Sequence, residues 1–153
     1  MRGDKREGRW DFAYSGRDLD ESYEGEELGP IELPTHPEEV QLFADEVEDH
    51  NPWYFEKSPF GGPILHSAYT AGNYMRLLST KYNLYGTIHS KAEHEYLNPA
   101  RRGKRLFVRG KIAEKANKRG MDYVVVESVT TDEDGVEIAR SKDRLIYRYP
   151  KRG

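Results

Sequence analysis

From Leu84 to Tyr149 the apolar residues recur with a period of two, in runs separated by short turn-forming clusters. That is the side-chain repeat of strands with one buried face, so this stretch dictates a sheet. Ile88, Ala92 and Tyr96 fall on one side of a first long strand closed by Asn98-Pro99, and Leu106, Val108 and Ile112 on one side of the next. Asn117-Lys118-Arg119-Gly120 reads as a hairpin turn, MDYVVVESV as a core strand, TDEDG as a second hairpin turn and VEIARSKDRLIYRY as a last long strand. A further short strand is expected near Glu26 to Leu33.

Ahead of these strands the period changes. In THPEEVQLFADEV, Thr35 and Glu38 fit a capping box and Pro37 suits a first helical turn. Val40, Phe43, Ala44 and Val47 then line one face of a short helix ending near Glu48. After Gly61-Gly62-Pro63, the apolar residues Ile64, Leu65, Ala68, Tyr69, Ala71, Met75 and Leu78 cover most of a helix circumference, which predicts a buried helix. One buried helix and four long antiparallel strands imply an α+β layer in which the sheet curls around the helix. Such a sheet has free edges, and pairing with a second copy, a homodimer, is a natural way to cover them.

The chain suits a single domain over residues 26–150. Residues 1–25 are charged, Gly-rich and without periodicity, and are expected to be a flexible arm; within it Trp10, Phe12 and Tyr14 alternate as if to dock on a partner surface. The absence of cysteine excludes a thiolate nucleophile, a disulfide framework and a cysteine-built zinc site. No run is long and apolar enough to span a membrane, and MRGDKREGRWDF lacks the apolar segment of a secretory signal, so a soluble cytoplasmic protein is expected. Residues 1–100 hold 9 Lys/Arg against 19 Asp/Glu, net −10, and residues 101–153 hold 15 against 8, net +7. The basic half reads either as a solvated sheet face or as a surface for a polyanionic group; the acidic first hundred residues argue against nucleic acid.

The segment DHNPWYFEKSPFGGPILH, residues 49–66, carries most of the chemistry. Asn51-Pro52 and Ser58-Pro59 keep it out of helix, so it is a long structured loop between two helices, where functional residues concentrate. Asp49 suits either a turn-capping or a catalytic role, and His50 either an exposed or a catalytic one. Gly61-Gly62-Pro63 delivers His66 and Ser67 to a helix start, whose free N–H groups can hold an oxyanion. The same glycines would also serve a plain tight turn. The five histidines, His36, His50, His66, His89 and His94, show no metal-ligand spacing, and no phosphate loop, dinucleotide fingerprint or serine-hydrolase elbow occurs. Arg101, Arg102, Lys104 and Arg105 sit on a loop between strands.

D-H-N-P-W-Y, F-G-G-P-I-L-H-S and N-P-A-R-R-G-K-R-L-F-V-R-G resemble the MaoC-like dehydratases of the hotdog-fold superfamily, which include (R)-specific enoyl-CoA hydratases, over about residues 26 to 149. The resemblance implies a hotdog fold, a long curved antiparallel sheet around a central helix, as a homodimer or a heterodimer with another hotdog chain. It implies addition or removal of water at the 2,3-position of an acyl thioester on CoA or an acyl carrier, in fatty acid metabolism, with no cofactor beyond the CoA of the substrate. By position Asp49 takes the family's acidic role, Asn51 shapes the loop, and Gly62 and the Ser67 amide bind the thioester carbonyl. By charge alone, Arg101 and Arg102 would suit CoA phosphates, against the plainer reading of a solvated loop. The family's catalytic histidine is replaced by Tyr54. Three consequences stand open: Tyr54 acts as acid with Asp49 as base; His50 or His66 supplies the imidazole; or the chain is a non-catalytic acyl-binding or assembly subunit. A thioesterase is a further alternative.

Overall fold

The computed structural model describes residues 16–150. Strand β1 (Glu27–Leu33) is followed by α1 (Pro37–Glu46), two short helices α2 (Ser67–Thr70) and α3 (Tyr74–Leu78), and strands β2 (Ile88–Tyr96), β3 (Leu106–Lys118), β4 (Met121–Asp132) and β5 (Glu137–Arg148). The strands form one antiparallel sheet in the order β1-β3-β4-β5-β2. Register shifts interrupt every ladder, and such bulges bend and twist strands locally.

Alternation explains the core. Leu106, Val108 and Ile112 of β3, Val124 and Val126 of β4, and Leu145 of β5 are buried with Leu28 and Leu33 of β1. Leu77 and Leu78 of α3 are completely buried against this face, and α3 packs on β1, β3 and β4. Gly110 marks how closely helix and sheet approach: a Cβ there would lie 2.5 Å from the Glu127 carbonyl oxygen and 3.1 Å from Leu77 Cδ1. Gly110→Ala is therefore expected to lower stability by about 1–3 kcal/mol in denaturant unfolding. An unchanged midpoint would show that the contact yields without cost.

Three local expectations are corrected. The helix expected after Pro63 is split, because Ala71 is extended and Gly72 adopts φ +69°, with the Gly72 N–H donating to Ser141 Oγ at 2.9 Å. Glycine disfavours helix, and here its freedom lets the chain turn onto β5. The capping box at Thr35 does not form: His36 is the N-cap of α1 and makes no side-chain cap, although Pro37 opens the helix as expected. Strand β2 is an edge strand exposed along its whole length, and the register shift between His89 and Lys91 sets Ile88 opposite Ile146 but Ala92 opposite Asp143. Ile88 thus faces away from the side shared by Ala92 and Tyr96.

Of the residues expected to form the arm, Arg17 to Gly25 are packed onto the domain. Leu19 is buried in the core, the Arg17 N–H donates to the Lys81 carbonyl at 3.0 Å, and the Tyr82 hydroxyl donates to the buried Glu26 carboxylate at 2.5 Å. Burial first, then the Glu26 carboxylate, holds that hydroxyl far above the usual phenol range. Trp10, Phe12 and Tyr14 lie outside the described residues. Among the described residues no helix is long and apolar enough to cross a membrane.

Candidate active site

The loop after α1 is built by local hydrogen bonds that its sequence supplies. Glu48 takes φ +55°, turning the chain, and the Asp49 N–H donates to the Ala44 carbonyl at 3.0 Å. Asn51 caps the 3-10 turn Pro52–Tyr54, its Oδ1 accepting from the Trp53 N–H at 3.0 Å, while its own N–H donates to Asp49 Oδ1 at 3.2 Å. The loop is pinned to the next segment by the Ile64 N–H on the Trp53 carbonyl at 2.9 Å, and that segment to the strand side by the Leu65 N–H on the Ala100 carbonyl at 2.8 Å.

This folding brings Asp49, Tyr54 and His66 together. The Tyr54 hydroxyl donates to Asp49 Oδ2 at 3.3 Å, and His66 Nε2 lies 3.0 Å from the same oxygen. His66 is also the N-cap of α2, its Nδ1 accepting from the Ala68 N–H at 3.0 Å. A nitrogen that accepts carries no proton, so the Nδ1 bond assigns the His66 proton to Nε2 and makes Asp49 Oδ2 its acceptor. Asp49 is thus the hub, a carboxylate receiving Tyr54 O–H, His66 N–H and Asn51 N–H. Desolvation first, then the Asp49 charge and the hydrogen bond to it, raises the Tyr54 pKa, so the phenol stays protonated through neutral pH and serves as a donor.

One side of the trio is closed. Phe43 meets the His66 ring edge-on at 5.3 Å, Tyr54 lies at 5.1 Å from it, and the space among Val40, Phe43, Tyr54, Leu65, His66 and Tyr69 is about 10 Å³. The other side opens into a groove of about 390 Å³ lined by Trp53, Tyr54, Phe60, Ser67, Tyr96 and Leu97, among others. Trp53, Phe60 and Tyr96 are each about half exposed there, so the groove is apolar and accessible. Ser67 opens α2, where an N–H has no partner one turn back. A larger concavity of about 880 Å³ runs across the sheet and is lined by charges of both signs, including Glu27, Arg109, Lys111, Glu127, Arg140 and Lys142. It contains none of the trio, whereas the smaller groove is lined by Tyr54.

The other expected residues fall outside the trio. His50 bonds Asp45 of α1 at 2.7 Å, with both side chains about half exposed, and so is not drawn to Asp49. Gly62 offers its carbonyl to the Ser58 hydroxyl at 2.5 Å. Arg102 donates to the Tyr54 carbonyl at 3.0 Å and Arg101 to that of Phe60, so both guanidiniums brace the loop. Lys104 is paired with Asp134 and Arg105 with Glu32. Lys104 and Arg105 are thus ion-paired within the chain, and Arg101 and Arg102 each bond a backbone carbonyl of the Tyr54–Phe60 loop. Among the described residues no three metal-ligating side chains converge.

Sequence reasoning did not find Phe43 as the ring that packs on both His66 and Tyr69, nor the His89–Asp143 pair at 2.9 Å on β2 and β5. The first is spelled out by the helical spacing of Phe43 within α1; the second requires the β2–β5 register.

A family model described as FAS1-like, dehydratase domain region, matches residues 22–141. No curated protein matches the chain. Solved structures share the fold. A MaoC-like dehydratase from Rhodospirillum rubrum is 24% identical with a TM-score of 0.69, covering 89% of this chain and 100% of that one. An (R)-hydratase from A. caviae involved in PHA biosynthesis is 17% identical with a TM-score of 0.71, covering 85% and 98%. A C-terminally truncated 3R-hydroxyacyl-ACP dehydratase complex from Mycobacterium tuberculosis is 20% identical with a TM-score of 0.61, covering 81% and 96%. The architecture is the hotdog fold expected from the sequence, α+β with an antiparallel five-stranded sheet.

Proposed function

Because the chain belongs to the FAS1-like dehydratase-region family, we propose that it adds or removes water at the 2,3-position of an acyl thioester, with Asp49 as base and Tyr54 as acid. One observation carries this reading: Tyr54 and His66, from two separate segments, both direct a proton at the same carboxylate oxygen. In the hydration direction Asp49 takes a proton from water as the oxygen bonds C3. The electron pair of the double bond shifts to C2, which takes the Tyr54 hydroxyl proton. The proton held on Asp49 then returns to the phenolate along their 3.3 Å hydrogen bond, leaving the site as it began. His66 donates throughout and keeps Oδ2 aimed, while the Ser67 N–H is the donor for the thioester oxygen. The apolar groove beside Tyr54 suits the acyl chain, with CoA or an acyl carrier outside it.

A second reading, a non-catalytic acyl-binding subunit, draws on Tyr54 itself, since a protonated phenol stands where the family resemblance calls for an imidazole. The dehydratase complex among the structural neighbours is a precedent for hotdog chains in complexes. Purified protein incubated with short- and long-chain enoyl-CoA is expected to consume the conjugated-thioester absorbance and yield the 3-hydroxyacyl product. Thermal stabilisation without turnover selects the binding reading, and release of free CoA selects a thioesterase.

A further inference from the structure

The four residues of α2 make a single helical turn, and one turn has too few internal hydrogen bonds to hold its own place. Yet this turn carries His66 at its N-cap, and through the Ala68 N–H on Nδ1 it decides which nitrogen of that ring faces Asp49. Something outside α2 must fix where it sits. Tyr69 accounts for part of this: its ring meets Phe43 edge-on at 5.3 Å, and its hydroxyl donates to the Pro34 carbonyl. The end of the turn is held differently. Ala71 is extended, so the helix stops, and the carbonyl of the buried Thr70 and the Gly72 N–H are left without helical partners.

Two hydroxyls of the sheet take them. Thr130 of β4 donates to the Thr70 carbonyl at 2.7 Å, and Ser141 of β5 accepts from the Gly72 N–H at 2.9 Å. Ser141 lies opposite Ser128, two residues from Thr130, so both hydroxyls project from the same face of the sheet. Both residues are buried, at 3% and 7% exposure, where a hydroxyl costs free energy unless it is bonded. Ser141 also turns its own hydrogen to His94 Nδ1 at 3.0 Å, which satisfies it as donor and acceptor at once. A continuous path therefore runs from the sheet to the Asp49 carboxylate. Thr130 and Ser141 hold the end of α2, the Ala68 N–H of α2 holds His66 Nδ1, and His66 Nε2–H holds Asp49 Oδ2.

We propose that Thr130 and Ser141 are positioning residues for this site: they set the place and rotation of α2 on the sheet, and so keep His66 with Nδ1 bare and Nε2–H on Asp49. Neither touches substrate, and both act through His66. The effect on turnover rests on the hydratase reading, whereas the state of the His66 ring does not.

Nitrogen NMR of the imidazoles reads that state directly, because a ring with its proton fixed on Nε2 gives well-separated nitrogen signals and a ring exchanging tautomers gives averaged ones. Wild-type His66 is expected to be fixed. Thr130→Val keeps the shape and removes the hydroxyl; it and Ser141→Ala are each expected to average the His66 signals and to lower enoyl-CoA turnover by about tenfold or more, with KM within about twofold. Thr130→Ser and Ser141→Thr, which keep the hydroxyl, should leave the signals separated and kcat within about threefold of wild type. Tyr82→Phe, which takes a donor from the buried Glu26 carboxylate outside this path, should lower the melting temperature and move neither readout. A lower melting temperature in Thr130→Val and Ser141→Ala with kcat and the His66 tautomer unchanged overturns the proposal and leaves two structural hydrogen bonds. A fall in kcat with the tautomer unchanged overturns the route through His66, and averaged signals with wild-type kcat overturn its bearing on turnover. If the wild type turns over no enoyl-CoA, the hydratase reading falls with its kinetic prediction, and the His66 tautomer still decides whether Thr130 and Ser141 position the ring.

Discussion

Asp49→Asn is expected to lower hydratase turnover by about 10²–10⁴-fold while leaving the fold in place. Asparagine has the same shape and can still accept from the Asn51 N–H, but it cannot take a proton from water. With Oδ1 kept as the oxygen that accepts from Asn51, the amide nitrogen takes the place of Oδ2, which both Tyr54 O–H and His66 Nε2–H face, so both donors lose their acceptor. The Asp49 side chain is 40% exposed, and water can serve the donors left behind, so the melting temperature should move little. The loss belongs in kcat, since the groove that holds the substrate is untouched. Turnover within about threefold of wild type, with an unchanged melting curve, would remove Asp49 from the base role.

The parts of the fold that could be read from sequence are those where one periodicity acts alone. Strands β3, β4 and β5 follow from Leu106-Val108-Ile112, Val124-Val126 and the inward residues of β5, because each is half buried and the alternation is clean. Strand β2 misleads through Ile88, Ala92 and Tyr96, whose spacing suggests one buried face. The signal against it was present: residues 89–95 are polar on both faces apart from Ala92, as an edge strand's are. The split of the central helix was announced by Gly72-Asn73, but seven apolar residues over fifteen positions suggested one continuous buried face.

The candidate site was legible as two halves, Asp49 and the Gly62–Ser67 backbone, and the structure joins them through His66. Neighbours in sequence did not help: His50 follows Asp49 directly, yet the turn at Glu48 and the pull of Asp45 send its ring to the other side. The ion-pair partners of Lys104 and Arg105 in the basic loop were out of view for a related reason. Those partners, Asp134 and Glu32, lie far away along the chain, and a charge run without its counter-ions in view looks available to ligands.

Tyr54→Phe separates the readings of this site most sharply. Phenylalanine keeps the ring against His66 and its packing, and removes only the hydroxyl that donates to Asp49. If that hydroxyl protonates C2, turnover should fall by about 10²-fold or more, with substrate affinity nearly unchanged. The pH profile gives a second test whose sign is fixed. Tyr54 must be protonated, and burial with the adjacent negative charge raises its pKa, so the alkaline limb lies above the ordinary phenol range. The variant loses that alkaline limb along with its rate. Tyr54→His restores the residue type that the family resemblance calls for, and an imidazole acting as acid should bring the alkaline limb down to about 6.5, its unperturbed pKa. Full activity in Tyr54→Phe with the wild-type pH profile would exclude the phenol as acid and leave His66 as the proton donor, since its Nε2–H is the other proton aimed at Asp49 Oδ2.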